Sequence, residues 1–209
     1  MNTKAKPVII LGAGGHAGVL IETLNKLEIN ILGLTVASDN PIKQFQGIKI
    51  LGDDSQVSKY SPDEVLLVNG IGSLPGDNTR HNISSSMRDR GYEFLTLIDP
   101  DSLISEKVFL SEGCQIMTGS IIQYETSIGK DTIINTGSVI DHQCTIGASC
   151  HIATGSVLSG NVSIGDNTHI GTGTKIINNI EIGENVVVAA GSVVYRDISS
   201  GTKFIQKKS

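Results

Sequence analysis

The sequence predicts a small parallel α/β domain, a Rossmann-like half, followed by an all-β parallel β-helix. Three observations carry that reading. Aliphatic residues recur at every sixth position from Ile98 to Val194; before residue 98 the recurrence stops and strand-like runs alternate with helical spacing; and glycine is abundant, 24 of 209 residues, while aromatic residues make up only 4% and Trp is absent. A core without rings has to be assembled from aliphatic side chains in a regular, tightly turned lattice.

The first element is the buried-strand run Val8-Ile9-Ile10-Leu11. It leads into Gly12-Ala13-Gly14-Gly15-His16-Ala17-Gly18, and then into Val19, Leu20, Thr23, Leu24 and Leu27 at helical spacing. This is a strand, a glycine turn and a helix. Further strands are expected around Asn30 to Val36, Ile48 to Leu51, Glu64 to Val68 and Phe94 to Ile98, with helices from about Ser55 and from Asn78 to Arg90. The alternation implies a parallel sheet. Pro100, within Asp99-Pro100-Asp101, ends the last of these strands, so the expected domains are residues 1–98 and 99–209.

From Ile98 onward the six-residue step meets Ile, Leu or Val at all seventeen positions; these types fill 59 of the 209 positions, so chance would supply about five. Each unit is a short strand and a turn, and three units close a coil of eighteen residues, giving between five and six coils. Every aliphatic points to the axis and stacks on its counterpart eighteen residues later. Four residues after each aliphatic the side chain is mostly small or β-branched, as at Ser120, Thr126, Thr132, Ser138, Cys144 and Cys150. Glycine often follows the aliphatic directly (Gly129, Gly147, Gly165, Gly171, Gly183), where a turn residue of positive φ is expected.

Composition excludes several function classes. The net charge is −5, with 16 Lys+Arg against 21 Asp+Glu, so no basic face offers itself to nucleic acid. No apolar run approaches the roughly 18 residues of a membrane helix. Three cysteines, odd in number and without zinc-ligand spacing, indicate a reduced, cytoplasmic setting.

Two stretches carry candidate chemistry. At the strand-to-helix turn, Gly12 and Gly14 let backbone N–H groups approach a phosphate, and the helix start adds a favourable dipole. The dinucleotide pattern is incomplete: Ala17 takes the third glycine position, and Asp39 comes only after Thr35-Val36-Ala37-Ser38. A nucleotide or nucleotide sugar is the expected ligand, and His16 could contact it. The second stretch is Asn135-Thr136-Gly137-Ser138-Val139-Ile140-Asp141-His142-Gln143-Cys144. A histidine on the outside of a solenoid has no core role, and neutral imidazole accepts a proton near neutral pH, with Asp141 or another nearby carboxylate to orient it. His151 and His169, eighteen apart, stack on one another, and His142 lies half a coil from His151. Cys144 and Cys150 are expected to be packed inside.

Together, the Gly-Ala-Gly-Gly-His turn, the hexapeptide repeat and the Asn-Thr-Gly-Ser-Val-Ile-Asp-His-Gln-Cys stretch resemble the bacterial nucleotide-sugar acetyltransferases related to sialic acid O-acetyltransferase. The resemblance covers nearly the whole chain. It implies a left-handed parallel β-helix and a homotrimer that transfers acetyl from acetyl-CoA to the amino group of a UDP- or GDP-linked amino sugar for surface glycans, without a metal. It implies His142 as general base, with His151, Gly160, Thr172 and Ala190 at the coenzyme. Gly14, Gly15, His16, Asp39, Ile71, Gly72 and Asn135 are implied on the nucleotide-sugar side. The residue after the base is often acidic in relatives and is Gln143 here, so that either Asp141 substitutes in orienting the imidazole or His142 is less basic. The rival readings are sugar O-acetylation, a γ-type carbonic anhydrase using His142, His151 and His169, and a non-catalytic nucleotide-sugar-binding trimer.

Overall fold

The structure is a computed structural model that describes residues 6–206. The chain divides into two compact units, Met1–Leu97 and Ile98–Ser209.

The first unit contains β1 (Val8–Leu11), α1 (Gly15–Lys26), β2 (Ile31–Thr35), β3 (Gln44–Phe45), β4 (Ile48–Gly52), a 3₁₀ segment (Asp54–Lys59), β5 (Leu66–Asn69) and α2 (Thr79–Asp89). The sheet order is β3-β4-β2-β1-β5, parallel except for the β3/β4 pair. Strand β1 lies between β2 and β5 and is buried at every residue, which is why it reads as an unbroken apolar run rather than an alternating one. Helix α1 buries Leu20, Thr23 and Leu24 of the expected stripe together with Ala17 and Ile21, whereas Val19 and Leu27 are exposed.

Three expectations for this unit change. Residues 44–52 form an antiparallel hairpin, with Gly47 at φ 78° in its turn, where only the Ile48 strand is expected from sequence. The segment after Asp53 is 3₁₀ rather than α; the Asp53 side chain accepts from the Ser55 N–H at its start, and the run is too short and polar to bury a stripe. Phe94 makes only an isolated bridge to Leu67, and the next strand is Leu97–Ile98.

The second unit is a left-handed parallel β-helix. Its three sheets are built from two-residue strands. The first runs from Leu103–Ile104 to Val193–Val194 in six strands, the second from Phe109–Leu110 to Glu181–Ile182 in five, and the third has seven and ends at Lys203–Phe204. The pairs between successive coils are parallel and keep an eighteen-residue register, such as Ile122↔Ile140 and Ile140↔Leu158, up to Val194; the last rung, Val187↔Lys203, is sixteen residues apart. The stacked aliphatics from Ile116 to Val194 are buried and form one continuous core. The small positions have their own reason. Most of their hydroxyls and thiols donate to the carbonyl fifteen residues ahead, in the next coil: Thr126 to Asp141 at 2.9 Å, Thr132 to Gly147 at 2.7 Å and Thr168 to Gly183 at 2.9 Å; Ser120 and Ser192 instead donate to the carbonyl three residues back. Each buried donor is thereby satisfied, at about 1 kcal/mol net per bond.

The glycine expectation is corrected here. Positive φ falls at three other columns: Gly119, Gly137, Gly155, Gly173 and Gly191 on one corner; Glu125, Gln143, Asn161 and Asn179 on the second; Gly113, Asp131, Ser149, Asn167 and Asn185 on the third. The glycines after the aliphatics are required for closeness instead. A methyl group at Gly129 would lie 2.5 Å from the Gly147 carbonyl carbon, and one at Gly165 would lie 2.6 Å from the Glu184 nitrogen. Backbone stacks on backbone at this corner, leaving no room for a Cβ.

Candidate active site

In the first unit, Leu11 of β1 pairs with Thr35 of β2 and Asn69 of β5, so the segments after these strands leave one edge of the sheet together. That edge, at the carboxyl ends of parallel strands, is where open α/β sheets bind ligands. Gly12 takes φ 94°, and a methyl group there would touch Ile71 at 3.0 Å. Gly14 caps α1 without a side-chain bond, no acid stands in the first turn, and side chains at Gly14 or Gly15 would meet nothing within 4 Å. The helix start is open at Gly14 and Gly15, where the first-turn N–H groups and the helix dipole favour an anion. The loop after β5 closes on it: a methyl group at Gly70 would lie 2.7 Å from Ile10 and 2.9 Å from Ala17, and one at Gly72 would lie 3.8 Å from His16 Cβ. Gly14, Gly15, His16, Ile71 and Gly72 are therefore neighbours.

Arg80 holds this loop, which sequence reasoning missed. It is buried in α2, and its Nη1 donates to the carbonyls of Asn69 and Ile71, both at 2.8 Å. Asn69 donates in return to Arg80 O and to Ser84 Oγ, and accepts from the Ile71 N–H. The only sequence signal was an arginine in the first turn of a helix, where a cation is disfavoured unless bonded. Beside the loop edge of β2 and β4 lies a cavity of about 310 Å³ lined by Val36, Ser38, Asn40, Lys43, Asp53 and Gln56 among others. Asp39 is not part of it; its side chain is exposed at the tip of a turn closed by Asn40 N–H to Ala37 O.

In the second unit, His142 sits on the corner between the first and second sheets. Its cavity, about 600 Å³, is lined by Asp141, His142, Gln143, Ser159, Gly160, Asn161, Asn178 and Asn179. The imidazole lies across Gly160, the residue eighteen positions on; a methyl group there would be 2.5 Å from Cε1 and Nε2. Nδ1 meets Gln143 Oε1 at 3.2 Å. The expected orienting role of Asp141 does not hold, because its Oδ1 accepts from the His142 backbone N–H at 2.7 Å, in the short turn where an aspartate reaches back to main chain.

The residues expected at the coenzyme separate within one chain. Gly160 belongs to the His142 corner, whereas Thr172 and Ala190, eighteen apart, are exposed on the corner between the third and first sheets. His151 lies on the third sheet, in register with His169. Asn135 joins His151 rather than His142: its Oδ1 accepts from the Thr136 N–H, so its Nδ2 donates to His151 Nε2 at 3.0 Å, which places the ring proton on Nδ1. His169 packs edge-on against this ring, centroids 4.9 Å apart, and burial pushes its imidazole below the ordinary value. Among the described residues, no group of three or more His, Cys, Asp or Glu side chains is gathered as a metal site.

Comparisons with known proteins bear on the family. Residues 7–87 match the PglD N-terminal domain model, residues 94–174 the GMPPB C-terminal domain model, and residues 161–196 the bacterial transferase hexapeptide model. Perosamine N-acetyltransferase from Caulobacter crescentus, solved as a histidine-to-asparagine variant with CoA and GDP-perosamine, is 35% identical with a TM-score of 0.86, over 93% of this chain and 90% of that one. The chain belongs to the bacterial nucleotide-sugar acetyltransferases of the hexapeptide superfamily. The acetyltransferase domain of PglB from Neisseria gonorrhoeae is 26% identical to this acetyltransferase, TM-score 0.86, covering 94% of this chain and 95% of that one. WeeI from Acinetobacter baumannii, 21% identical over 94% and 95% with a TM-score of 0.84, shares the fold. No curated protein sequence matches the acetyltransferase.

Its three cysteines are free and buried. Burial is the main cause that raises the Cys144 thiol, and it pushes Cys150 up to about 12. At pH 8 both are protonated and poor nucleophiles. An aromatic disulfide reagent is expected to titrate no thiol in the folded acetyltransferase within minutes and three after denaturation. Rapid reaction of one native thiol, with loss of turnover, would reopen a covalent route through cysteine.

Proposed function

We propose that the acetyltransferase moves acetyl from acetyl-CoA to the amino group of a nucleotide-linked amino sugar, with His142 Nε2 as the base. The observation that carries this is the seat of the His142 ring. Gly160 admits it, Gln143 holds Nδ1, and Nε2 has no hydrogen-bond partner among the described residues, beside a cavity lined otherwise by neutral polar groups and one carboxylate. As the sugar nitrogen attacks the thioester carbonyl, Nε2 takes the amine proton. The C–S bond then breaks, and the CoA thiolate recovers a proton from the imidazolium. Holding amine and thioester together reduces the entropic cost of their encounter.

The nucleotide is proposed to place its phosphates at the open start of α1, Gly14 to His16, under the Ile71-Gly72 loop, with residues 1–98 serving as the nucleotide-sugar domain and 99–209 as the acetyl-transfer domain. GDP is favoured over UDP by the likeness to a protein holding GDP-perosamine. The buried free thiols favour the reducing cytoplasm. No described helix is long and apolar enough to cross a membrane.

The faces of the solenoid support a homotrimer. The outward residues of the first sheet are Leu103, Ile121, Val139, Val157, Lys175 and Val193, and Leu103 is 66% exposed, while those of the second are Phe109, Ser127, Thr145, Ser163 and Glu181. The apolar first sheet is flanked by the His142 corner on one side and the Thr172–Ala190 corner on the other. A second copy packed head to tail over it brings one protomer's base beside its partner's coenzyme corner, and three copies close the ring.

The test is thiol release from acetyl-CoA with GDP- and UDP-linked amino sugars, with the corresponding deoxy sugars and sialic acid as controls, and sedimentation to read the assembly. Turnover confined to an amino sugar as a trimer is expected. Turnover of sialic acid alone, or none with any sugar despite acetyl-CoA binding, would overturn the reading.

A further inference from the structure

We infer that Glu125 is the carboxylate that orients His142, acting from the preceding coil through the side-chain amide of Gln143. This rests on His142 being the base, as proposed above. Residues 107, 125, 143, 161 and 179 are eighteen apart and form one column along the His142 corner. Glu125 and Gln143 share the same left-handed backbone, φ 56° and 59°, one rung apart. Gln143 Nε2 donates to Glu125 Oε2 at 3.4 Å, and Gln143 Oε1 faces His142 Nδ1 at 3.2 Å.

The chemistry of the three groups fixes the direction of the chain. An ionised carboxylate only accepts, so Gln143 turns its NH₂ to Glu125 and its oxygen to the ring. That oxygen also only accepts. The neutral imidazole therefore carries its proton on Nδ1 and keeps its lone pair on Nε2, the arrangement a base needs. An acid that never touches the ring thus selects its tautomer.

The surroundings leave Glu125 this task alone. Asp141 is engaged by the His142 backbone N–H. The Tyr124 hydroxyl donates to Glu125; that bond first, and then the carboxylate's charge, push the phenol above its ordinary value. Lys107 Nζ lies 5.0 Å from the Tyr124 ring. On the following coils the cavity is lined by Ser159, Gly160, Asn161, Asn178 and Asn179, none of which titrates. The charged groups around His142 are therefore Asp141, Glu125 and, through Tyr124, Lys107.

The experiment compares Glu125→Lys, the exchange Glu125→Gln/Gln143→Glu and His142→Ala, reading kcat, both KM values and the 15N shifts of histidine ring nitrogens. In Glu125→Lys an ammonium donates to Gln143 Oε1, the amide turns, and the ring proton moves to Nε2. The kcat is expected to fall about 10²-fold, the scale of losing the base, with KM changed by no more than about twofold. The exchange puts a carboxylate directly on Nδ1 with the amide behind it, and kcat is expected to return to within about fivefold of the unaltered enzyme. If Glu125→Lys keeps its kcat and its Nδ1 proton while His142→Ala is inactive, the relay is wrong and the base stands. If His142→Ala turns over normally, the base reading fails, and the ring shifts in Glu125→Lys still decide the relay.

Discussion

His142→Ala is expected to lower kcat/KM by about 10²-fold or more, the usual worth of a positioned general base. The argument is local. His142 is exposed, contributes nothing to the aliphatic core, and its one ring hydrogen bond is to its neighbour Gln143. Its removal leaves the coil intact, since the Gln143 N–H still donates to Tyr124 O and the Asn161 N–H still donates to residue 142 O. The melting temperature should therefore barely move while turnover is lost. Near-normal turnover in a folded assembly of this variant would refute the assignment.

Gly160→Ala is the second large effect. The added methyl falls 2.5 Å from two ring atoms of His142, closer than any real contact, so the exposed imidazole has to leave its seat. A displacement of about 1 Å at a reacting group costs on the order of 10²-fold in kcat. The division between constants tests where Gly160 acts. If it seats the base, kcat falls and the KM for acetyl-CoA holds; if it serves only as wall of a coenzyme groove, KM rises and kcat is retained.

Much of this was legible in the sequence, and the part that was not has a physical cause. The six-residue period announces strand length, coil length and core because each aliphatic is buried for the same reason as the one eighteen residues away. Strand β1 and helix α1 are legible because a strand buried on both faces and an amphipathic helix leave opposite signatures in apolar spacing. Two kinds of information are hidden. The first is orientation: Asp141 adjoins His142 in sequence yet spends its carboxylate on the backbone, while Glu125, seventeen positions before His142, reaches the ring's partner through the coil stacking. The second is the cause of a glycine. At Gly137 the cause is a left-handed φ, at Gly129 a backbone stacked too close for a Cβ, and at Gly160 a neighbouring ring; one letter stands for all three. Arg80 is hidden likewise, since its partners are carbonyls of a distant loop.

The eighteen-residue register has a consequence for how such a chain can change length. A one-residue deletion within a coil would turn every later side chain off its column, whereas gaining or losing a whole coil preserves all rungs beyond the cut. The region around His142 does not share that tolerance, because Glu125, Gln143 with His142, and Gly160 come from three successive coils. An extra coil spliced between residues 125 and 143 would still fold as a longer solenoid, but the carboxylate would be left one storey below the amide it holds. Whole-coil insertions are thus permissible near either end of the stack and forbidden across this span, so the enzyme's length is free to drift while residues 125–160 stay contiguous.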